Sequence, residues 1–414
     1  MKTVGLITEY NPFHNGHFYH IQKAKEITGA DRVVVIMSGD FVQRGQPAIM
    51  PKHLRAEIAL RCGASAVFEL PVCYATGSAE LFATGAVTFL DQLGVVDAFC
   101  FGSECSELST LQAIARILTE EPDPYVRNLK SLLQNGLSFP SARARALSAF
   151  TGNSCDEEVM NQPNNILAIE YLKALSKCKS HMAPVQITRQ GADYHDTALS
   201  EYNSSASSIR HYLEKWEQHT SPFELSCHLS EHVPTNSLDL LNDGFQKSFP
   251  VYMDTFSLVL KYCLLTEDHF EQYQDVSAEL SNRILNLRNQ YQSFTQFCEL
   301  LKTKEITYTR ISRALTHIML RITECDTEHY LKNKIHFYAH LLGFRKDEAD
   351  LLSEIKHRSR LPLLTKLTNI DPTDNCARSM LQTDCFASDL YQSAVSELYL
   401  TPFINEYQKQ VIHI

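Results

Sequence analysis

Short apolar runs alternate with helical patterns through the first part of the chain. The runs of strand length are Val4 to Ile7, Val33 to Met37, Ala66 to Leu70 and Ala98 to Phe101. The segments with helical spacing and composition are residues 52–62, 77–92 and 108–118. This alternation predicts an α/β fold in which a parallel sheet is covered by helices on both faces.

The same alternation continues less regularly to about residue 215. A looser, proline-containing segment over residues 120–161 is expected to decorate the sheet. The further elements are a helix over 166–175, a strand over 185–188 and a helix that begins in the serine-rich turn 204–210. From there the strand pattern fades, so we predict an α/β domain over 1–215 and a mostly α-helical domain over 216–414.

Two basic stretches stand out in the predicted helical domain. Residues 307–320 carry a regular apolar face, and we expect Arg310, Arg313 and His317 to lie largely outside it. The second stretch covers residues 356–360, with the sequence Lys-His-Arg-Ser-Arg. Both stretches lie in the half of the chain that has no turn suited to a phosphate.

Composition places the protein among ordinary soluble chains. It has 414 residues, of which 44% are hydrophobic and 21% charged. Apolar runs stay well short of the roughly 20 residues that cross a bilayer. The first residues lead directly into a predicted strand where a signal peptide would need a longer apolar region. We therefore expect a cytoplasmic protein with no membrane partner.

The cysteine content and the net charge argue against further kinds of protein and site. The twelve cysteines are scattered and form no CxxC pair, so we expect free thiols with neither a disulfide framework nor a zinc site. The formal net charge of −10 argues against a protein that coats nucleic acid through its global charge. A local basic face remains compatible with that value, because phosphate contacts depend on where the charges lie.

The most informative stretch is a predicted strand, Val4 to Ile7, followed by His14-Asn15-Gly16-His17 and a helical pattern. The start of a helix offers backbone N–H groups and the positive end of the helix dipole, which favour a phosphate. Two imidazoles three residues apart add further donors. The alternative is that one histidine caps the helix and the other is an ordinary surface side chain. The pair with Gly16 between them, directly after a strand, favours the functional interpretation.

This arrangement resembles the HxGH signature of the nucleotidylyltransferase superfamily, whose members direct attack on the α-phosphate of a nucleotide and release pyrophosphate. The resemblance implies a Rossmann-like domain. A second superfamily signature, often SSTxIR, precedes the last helix of the catalytic domain, and Ser205-Ala-Ser-Ser-Ile-Arg210 stands at that place. Its hydroxyls and arginine would hold the β- and γ-phosphates. The alternative is a plain serine-rich N-cap.

Several segments together are similar to one family, the bacterial tRNA(Met) cytidine acetate ligases, over residues 1 to about 345. Asp40 departs from the family pattern, in which asparagine is expected. The segments are SGDFVQRGQPA (38–48), KHLRAEIALRCGA (52–64), FELP (68–71), FGSE (101–104), PNNILAIEYLKAL (163–175), RQGADYHD (189–196) and TYTRISRAL (307–315).

The resemblance implies an enzyme that uses ATP to activate acetate as acetyladenylate. It would then acetylate N4 of the wobble cytidine of elongator tRNA(Met), with Mg²⁺ bridging the phosphates. His14 and His17 would stabilise charge on the phosphoryl oxygens. Acetate is already ionised at neutral pH and needs no general base for the first step.

The same resemblance implies the residues that bind ATP. Each has a structural alternative, because Gly102 also suits a plain turn, the asparagines a helix cap and Arg189 a solvated strand end. The implied residues are Ile7, Thr8, Glu9, Tyr10, Asn11, Pro12, Phe13, His14, Asn15, Gly16, His17, Phe18, Tyr19, His20, Gly102, Asn164, Asn165, Arg189, Ser207 and Arg210.

Other polar residues near the predicted strand ends have open roles. Lys52 and Arg55 begin a helix and would meet phosphate or tRNA, or form a solvated first turn. Asp40 would help to hold Mg²⁺ or orient acetate, although a Gly-Asp turn explains it equally simply. The carboxylates that lie near strand ends, among which no base is singled out for acyl transfer, are Glu9, Glu69 and Glu104.

For tRNA the basic candidates are Arg310, Arg313, Lys356, Arg358 and Arg360. Such residues neutralise phosphates, whereas reading one cytidine in an anticodon loop requires an aromatic platform, for which Tyr194 and Tyr308 are candidates. The alternative for the basic residues is a solvated helix face.

Two other functions stay open. One is a metabolite adenylyltransferase acting on phosphopantetheine or nicotinate mononucleotide, which leaves the helical half unexplained. The other is a non-catalytic RNA-binding protein, which leaves the intact histidine motif unexplained.

Overall fold

The structure is a computed structural model that describes residues 1–189, 205–215, 227–371 and 373–414. The strands are β1 (Thr3–Thr8), β2 (Arg32–Ser38), β3 (Phe41–Val42), β4 (Gln46–Pro47), β5 (Ala66–Leu70), β6 (Ala98–Ser103), β7 (Ala183–Thr188), β8 (Ala339–Phe344), β9 (Leu363–Leu364) and β10 (Ile412–His413).

The helices of the described residues cover most of the remaining chain. Those up to residue 214 are α1 (Asn15–Thr28), α2 (Lys52–Arg61), α3 (Val72–Ala75), α4 (Ala79–Leu93), α5 (Leu108–Glu120), α6 (Asp123–Gln134), α7 (Phe139–Thr151), α8 (Cys155–Asn161), α9 (Pro163–Lys177) and α10 (Ala206–Glu214). The later ones are α11 (Thr235–Gly244), α12 (Ser257–Thr266), α13 (Ala278–Leu287), α14 (Phe294–Leu301), α15 (Tyr308–Leu320), α16 (Glu324–Lys332), α17 (Ala349–Arg358) and α18 (Asn375–Tyr399). Short 3₁₀ helices cover Met253–Phe256, Phe270–Gln272, Arg288–Gln290, Lys346–Glu348, Leu367–Asn369 and Glu406–Gln408.

The main sheet has the strand order β10-β8-β5-β2-β1-β6-β7. The five strands from β5 to β7 in this order are parallel, with Val4 opposite Val33 on one side of β1 and opposite Ala98 on the other. The chain therefore winds in one direction from β1 through β2 to β5, and returns to the other side of β1 with β6 and β7. This confirms the predicted parallel sheet.

Successive residues of β2 point to opposite faces, and both faces are buried. Val33 and Val35 belong to the core under α1 and α2, whereas Val34 and Ile36 belong to the core under α4 and α9. The whole strand is buried, which is why it reads as a continuous apolar run and not as an alternating one. A third core, between residues 253 and 318, holds the helices α12 to α15 together.

The looser segment over 120–161 contains three helices, α6, α7 and α8. Its prolines had suggested irregular structure. In the structure Pro124 and Pro140 lie in the first turns of α6 and α7, where proline leaves no intrahelical hydrogen bond unmade. These two prolines therefore mark the starts of helices.

The chain after residue 215 is mostly helical, as predicted, but it also contributes to the sheet. Strand β8 pairs antiparallel with β5, and β10 pairs parallel with β8. Periodicity alone does not separate such a short apolar run from a helix. The β8 segment is a strand because it pairs with the edge of β5 that faces away from β2. The division into domains at residue 215 stays a prediction.

Within the part of the chain that the structure describes, no helix is both long enough and apolar enough to cross a membrane.

We expect Gly45→Ala to destabilise the protein more than Gly152→Ala does. Both glycines have left-handed φ, 65° and 70°, and share a conformational cost of roughly 1–2 kcal/mol. A Cβ at Gly45 would lie 2.5 Å from the backbone of Arg313, whereas none of the described atoms lies within 4 Å of one at Gly152. Urea unfolding of both variants measures the difference, and equal losses would contradict the predicted clash.

Candidate active site

The strand order reverses at β1, so the loops that leave β1 and β6 diverge at their carboxyl ends. In open α/β sheets ligands bind in the crevice formed at such a position. The His14–His17 motif follows β1, Gly102 lies at the end of β6, and Arg189 directly follows β7. The fold thus brings together the elements that the sequence analysis assigned to ATP.

The two histidines form a reciprocal cap at the start of α1. Nδ1 of His14 accepts a hydrogen bond from the Gly16 N–H at 3.0 Å, and Nδ1 of His17 accepts one from the His14 N–H at 3.3 Å. Their rings stack with centroids 3.7 Å apart. Because each Nδ1 accepts, a neutral ring carries its proton on Nε2. The geometry therefore agrees with a helix cap. The cap uses Nδ1 of each histidine and leaves one N–H donor, on Nε2.

Burial and nearby cations keep these histidines neutral. Desolvation, followed by the charges of Arg189 and Arg210, lowers the pKa of His14 to about 3. The pKa of His17 is lowered well below 6.5 by desolvation and then by His14, Arg189 and His20. Desolvation and Arg189 lower the pKa of His20 to about 4. The site thus combines neutral imidazoles with guanidinium charges, a combination suited to a polyanion.

The first N–H groups of α1 are engaged within the protein. The Asn15 N–H donates to the carbonyl oxygen of His232 at 2.9 Å, and the Gly16 N–H donates to His14. The sequence predicts that such groups bind a phosphate. With these two N–H groups engaged, the helix dipole, the Nε2 donors and the arginines are the features left to attract an anion.

The loop between β1 and α1 is held at several points. Tyr10 has a left-handed φ of 48° and is fully buried, with its ring 4.6 Å from that of Phe13 and 5.0 Å from that of His17. The side chain of Asn11 accepts from the Ile49 N–H at 2.7 Å, and the Asn11 carbonyl accepts from Arg210 at 2.6 Å. The histidines therefore follow a tightly fixed turn.

Gly102 and Arg189 are neighbours beside this loop. The Arg189 N–H donates to the carbonyl oxygen of Ser103 at 2.9 Å, and a Cβ at Gly102 would lie 3.4 Å from Cγ of Arg189. A Cβ at Gly102 would thus make an ordinary van der Waals contact with the arginine side chain. The rest of the RQGADYHD segment, including Tyr194, lies outside the described residues.

The two asparagines are tied to the turn after β6. Glu104 accepts from the Asn164 side chain at 2.5 Å and from the Asn165 N–H at 2.9 Å. The Asn165 side-chain oxygen accepts from the N–H groups of Glu104 and Cys105 at 2.9 and 2.8 Å. The Glu104 carboxylate therefore accepts the first N–H groups of α9, and the Asn165 side chain shapes the turn after β6, so neither asparagine is a plain helix cap. Their contact with ATP stays a prediction.

The serine-rich turn contains both a cap and an arginine anchor. Ser205 caps α10 by accepting from the Ser208 N–H at 3.1 Å. Ser207 accepts from Arg210 at 3.1 Å, and the same guanidinium reaches Asn11. The turn is therefore joined to the loop that carries the histidines, as its assignment to the phosphate side requires.

Lys52 and Arg55 are neither solvated nor available to tRNA, and both alternatives from the sequence analysis are wrong. Their exposed fractions are 1% and 0%. Lys52 pairs with Glu69 at 2.7 Å and with Glu406 at 2.9 Å. Asp40 accepts from the Lys52 N–H at 2.7 Å, which makes it a cap for α2. These roles follow from the burial of both side chains, which the sequence of one helix turn does not reveal.

Among the described residues, one group could hold a metal ion, namely Glu69, His340 and Glu406. The ammonium group of Lys52 pairs with both carboxylates and already occupies the position between them. Nδ1 of His340 donates to the Glu69 carboxylate at 2.8 Å. The group is a buried ion-pair network that joins α2, β5 and the C-terminal segment.

Arg310 and Arg313 lie on α15 near the carboxyl edge. The hydroxyls of Ser312 and Thr316 each donate to the carbonyl oxygen of Gly45 at 2.8 Å, in the β3–β4 hairpin that follows β2. Arg310 is exposed, whereas Arg313 pairs with Asp275 at 2.8 Å.

The expectation that His317 lies outside the apolar face is wrong. It is fully buried, with Nδ1 2.9 Å from the carbonyl oxygen of Gln274 and Nε2 3.2 Å from that of Thr76. Its ring nitrogens lie near these backbone carbonyls and, at Nε2, near the Thr76 hydroxyl at 3.1 Å, so its polar partners are inside the core. Tyr308 is half-buried beside the third core, which raises the pKa of its hydroxyl.

The second basic stretch lies at the opposite edge of the sheet. Arg32, the first residue of β2, pairs with Asp350 and Glu354 of α17. The Arg360 N–H donates to the carbonyl oxygen of Gln92 at 2.9 Å. Gln92 lies in the last turn of α4, which leads into β6. The second basic stretch therefore lies near the amino edge of the sheet. The length of the strands separates Lys356, Arg358 and Arg360 from the histidines at the carboxyl edge.

Sequence reasoning missed the residues that support the site from behind. Arg55 binds the loops after β1 and β2, and His232 supplies the carbonyl that receives the Asn15 N–H. The α2 sequence has several other charged residues, so nothing in it distinguishes Arg55. The carbonyl of His232 leaves no signal in the sequence.

Comparison with known proteins agrees with this geometry. The model of the HIGH Nucleotidyl Transferase family matches residues 1–402. The chain is 41% identical over 396 residues to the tRNA(Met) cytidine acetate ligase of Acetivibrio thermocellus, with 94% of each protein covered. It is 40% identical over 396 residues to the protein of the same name from Thermoanaerobacter pseudethanolicus, covering 95% of this chain and 96% of that protein.

Two solved structures share the whole fold. The crystal structure of Thermotoga maritima TmcAL in apo form I has a TM-score of 0.92 and 31% sequence identity, with 100% of both chains covered. The structure of Thermotoga maritima TmcAL bound with alpha-thio ATP has a TM-score of 0.89 at 31% identity, covering 100% of this chain and 99% of that one.

We expect the imidazole signals of His14 and His17 to stay unchanged between pH 8 and 5 in NMR titration. Their folded-state pKa values are lowered, so the unfolded chain binds protons near pH 6.5 while the folded chain does not. Stability should accordingly fall as the pH drops from about 6.5 towards 3. The same signals in urea provide the control. Titration of either residue near pH 6.5 in the folded protein would contradict its assignment as neutral.

Proposed function

The chain belongs to the HIGH nucleotidyl transferase family and, within it, to the tRNA(Met) cytidine acetate ligases, and we propose that it acetylates a cytidine of tRNA(Met) at the expense of ATP. The observation that carries this proposal is the stacked, neutral pair His14 and His17 at the reversal of strand order, beside Arg189 and Arg210. The similarity to an ATP-analogue complex over the whole chain supports ATP as the nucleotide.

The first step joins acetate to ATP. A carboxylate oxygen of acetate forms a bond to the α-phosphorus, the bond to the bridging oxygen breaks, and pyrophosphate leaves. Negative charge builds on the phosphoryl oxygens, where Nε2–H donors and the N-terminus of α1 stabilise it. Because these imidazoles are neutral, they act as fixed donors and exchange no proton with the substrate.

The second step moves the acetyl group to RNA. The N4 amine of the wobble cytidine attacks the carbonyl carbon of acetyladenylate, AMP leaves, and the nitrogen loses a proton. The structure singles out no base for this proton. Glu9 accepts from the Gln43 N–H at 3.1 Å and Glu104 is bound to the asparagines, so both carboxylates support neighbouring turns.

We propose that Arg189 and Arg210 stabilise the phosphates. Their charges are the ones that most depress the pKa of His14 after desolvation. The one group of metal ligands among the described residues already holds Lys52, so the fit for a protein-bound ion is poor there. The involvement of Mg²⁺ stays a prediction; when bound, the ion would supply neutralisation of phosphate charge.

The two alternative functions gain no support. The relatives that cover 94–95% of this chain are named as tRNA(Met) cytidine acetate ligases, and neither a metabolite acceptor nor a non-catalytic role explains that similarity. The cytoplasmic location stays a prediction.

For tRNA we propose the carboxyl edge as the docking face. Arg310 is exposed on α15, which the β3–β4 hairpin joins to the loop after β2. Arg313 lies beside it and is partly neutralised by Asp275. Lys356, Arg358 and Arg360 remain candidates only for a distant part of the tRNA.

We expect the native protein to convert ATP, labelled acetate and unmodified tRNA(Met) into labelled N4-acetylcytidine, detected in digested RNA. His14→Ala and His17→Ala should each lower acetate-dependent pyrophosphate release by about 10² or more, because a preorganised donor is lost. Their affinity for tRNA should stay within a few fold of native. The absence of label with the native protein would refute the proposed function.

We expect Arg310→Gln to weaken tRNA(Met) binding and to reduce the slope of log Kd against log salt by about 1, because one phosphate contact is lost. Acetyladenylate formation without tRNA should be unchanged. Arg358→Gln, at the opposite edge, is the matched comparison. A larger loss with Arg358→Gln than with Arg310→Gln would place the tRNA on the other face.

A further inference from the structure

Arg55 connects the ends of two strands at the carboxyl edge of the sheet. Its side chain has no exposed surface, and its guanidinium donates only to main-chain carbonyl oxygens in the contacts that we describe. Nη1 donates to Glu9 at 2.5 Å and to Ser38 at 3.1 Å, Nη2 donates to Gly39, and Nε donates to Met50 at 3.0 Å. One rigid group thus holds three separate turns.

Those turns belong to the candidate site. Glu9 directly follows β1, and Ser38 and Gly39 end β2 and begin the next loop. Since β1 and β2 pair along their full length, with Thr8 opposite Met37, their ends are adjacent. The guanidinium therefore sets the separation of the two loops where they leave the sheet.

The bond to Glu9 reaches the histidines through a short path. The Glu9 carbonyl belongs to the peptide that precedes Tyr10, whose left-handed φ of 48° is unfavourable for a residue with a Cβ. The Tyr10 ring in turn contacts the rings of Phe13 and His17 at 4.6 and 5.0 Å. The orientation of the Glu9 peptide thus helps to set the position of the His17 ring.

We propose that Arg55 is a positioning residue for the nucleotide-binding loop and, resting on the proposed function, for attack on the α-phosphate. It acts through the Glu9 peptide and Tyr10, and it touches no substrate. Only a planar fork of donors spans the carbonyl oxygens of all these turns, whereas a lysine presents a single point of donors. The role therefore requires arginine as well as a positive charge.

The experiment compares Arg55→Lys and Arg55→Gln with a matched control, Arg32→Lys. Arg32 is also a buried arginine, with a side chain 4% exposed, but it lies at the amino edge of β2 and pairs with carboxylates of α17. The measurements are acetate-dependent pyrophosphate release, the Kd for ATP, and the folded fraction and Tm by circular dichroism.

All three variants should lower Tm, since each disturbs a buried arginine. Per folded molecule, the Arg55 variants should lose about tenfold or more in kcat, because a small misplacement of reacting groups is costly. Their KM for ATP should change less than kcat. Arg32→Lys should keep the native kcat and the native Kd for ATP.

Native kcat in folded Arg55 variants would overturn the proposal, and so would an equal loss in Arg32→Lys. Failure of both Arg55 variants to fold, with Arg32→Lys folded, would make Arg55 a folding residue and would also overturn it. A native protein without acetate-dependent pyrophosphate release would instead refute the proposed function. In that event the Kd for ATP, expected to rise at least threefold in the Arg55 variants alone, still tests the positioning role.

Discussion

The placement of β1 between β2 and β6 is the constraint on which the rest of the molecule depends. Parallel pairing on both sides buries all of β1 except Ile7, which is partly buried, so a shift of register would be costly. The chain turns in opposite directions on its two sides, which opens a crevice at the carboxyl edge. The histidine motif, Gly102 and Arg189 all reach this crevice because each follows or ends one of the strands around it.

The electrostatics of the site differ from those of the whole chain. The protein has a formal net charge of −10, yet Arg189 and Arg210 act on His14, and burial keeps the imidazoles neutral. A polyanion therefore meets fixed positive charges and neutral donors in a region with little water. In such surroundings a prepositioned hydrogen bond stabilises a developing charge more strongly than it would in bulk solvent.

The C-terminal half is built into the same scaffold. Strand β8 extends the sheet beyond β5, Glu406 reaches the Lys52 ion pair, and α15 packs on Gly45 of the hairpin after β2. The helices that are proposed to meet tRNA thus rest on the loops next to the nucleotide.

Local patterns alone determined the parallel sheet, most helices that alternate with its strands, and the histidine pair at a strand-to-helix junction, but not the helices α6 to α8. These follow from apolar periodicity and from turn residues, which act over a few positions. Family resemblance supplied Gly102, Arg189 and the serine-rich turn. The strand β8, the burial of Lys52, Arg55 and His317, and the amino-edge location of residues 356–360 were decided only by the tertiary structure. Each depends on partners distant in sequence: an open strand edge, carbonyl oxygens of separate loops, or carboxylates on another element. A buried cation and a solvated one look identical in a sequence, because only the fold determines whether water or protein satisfies them.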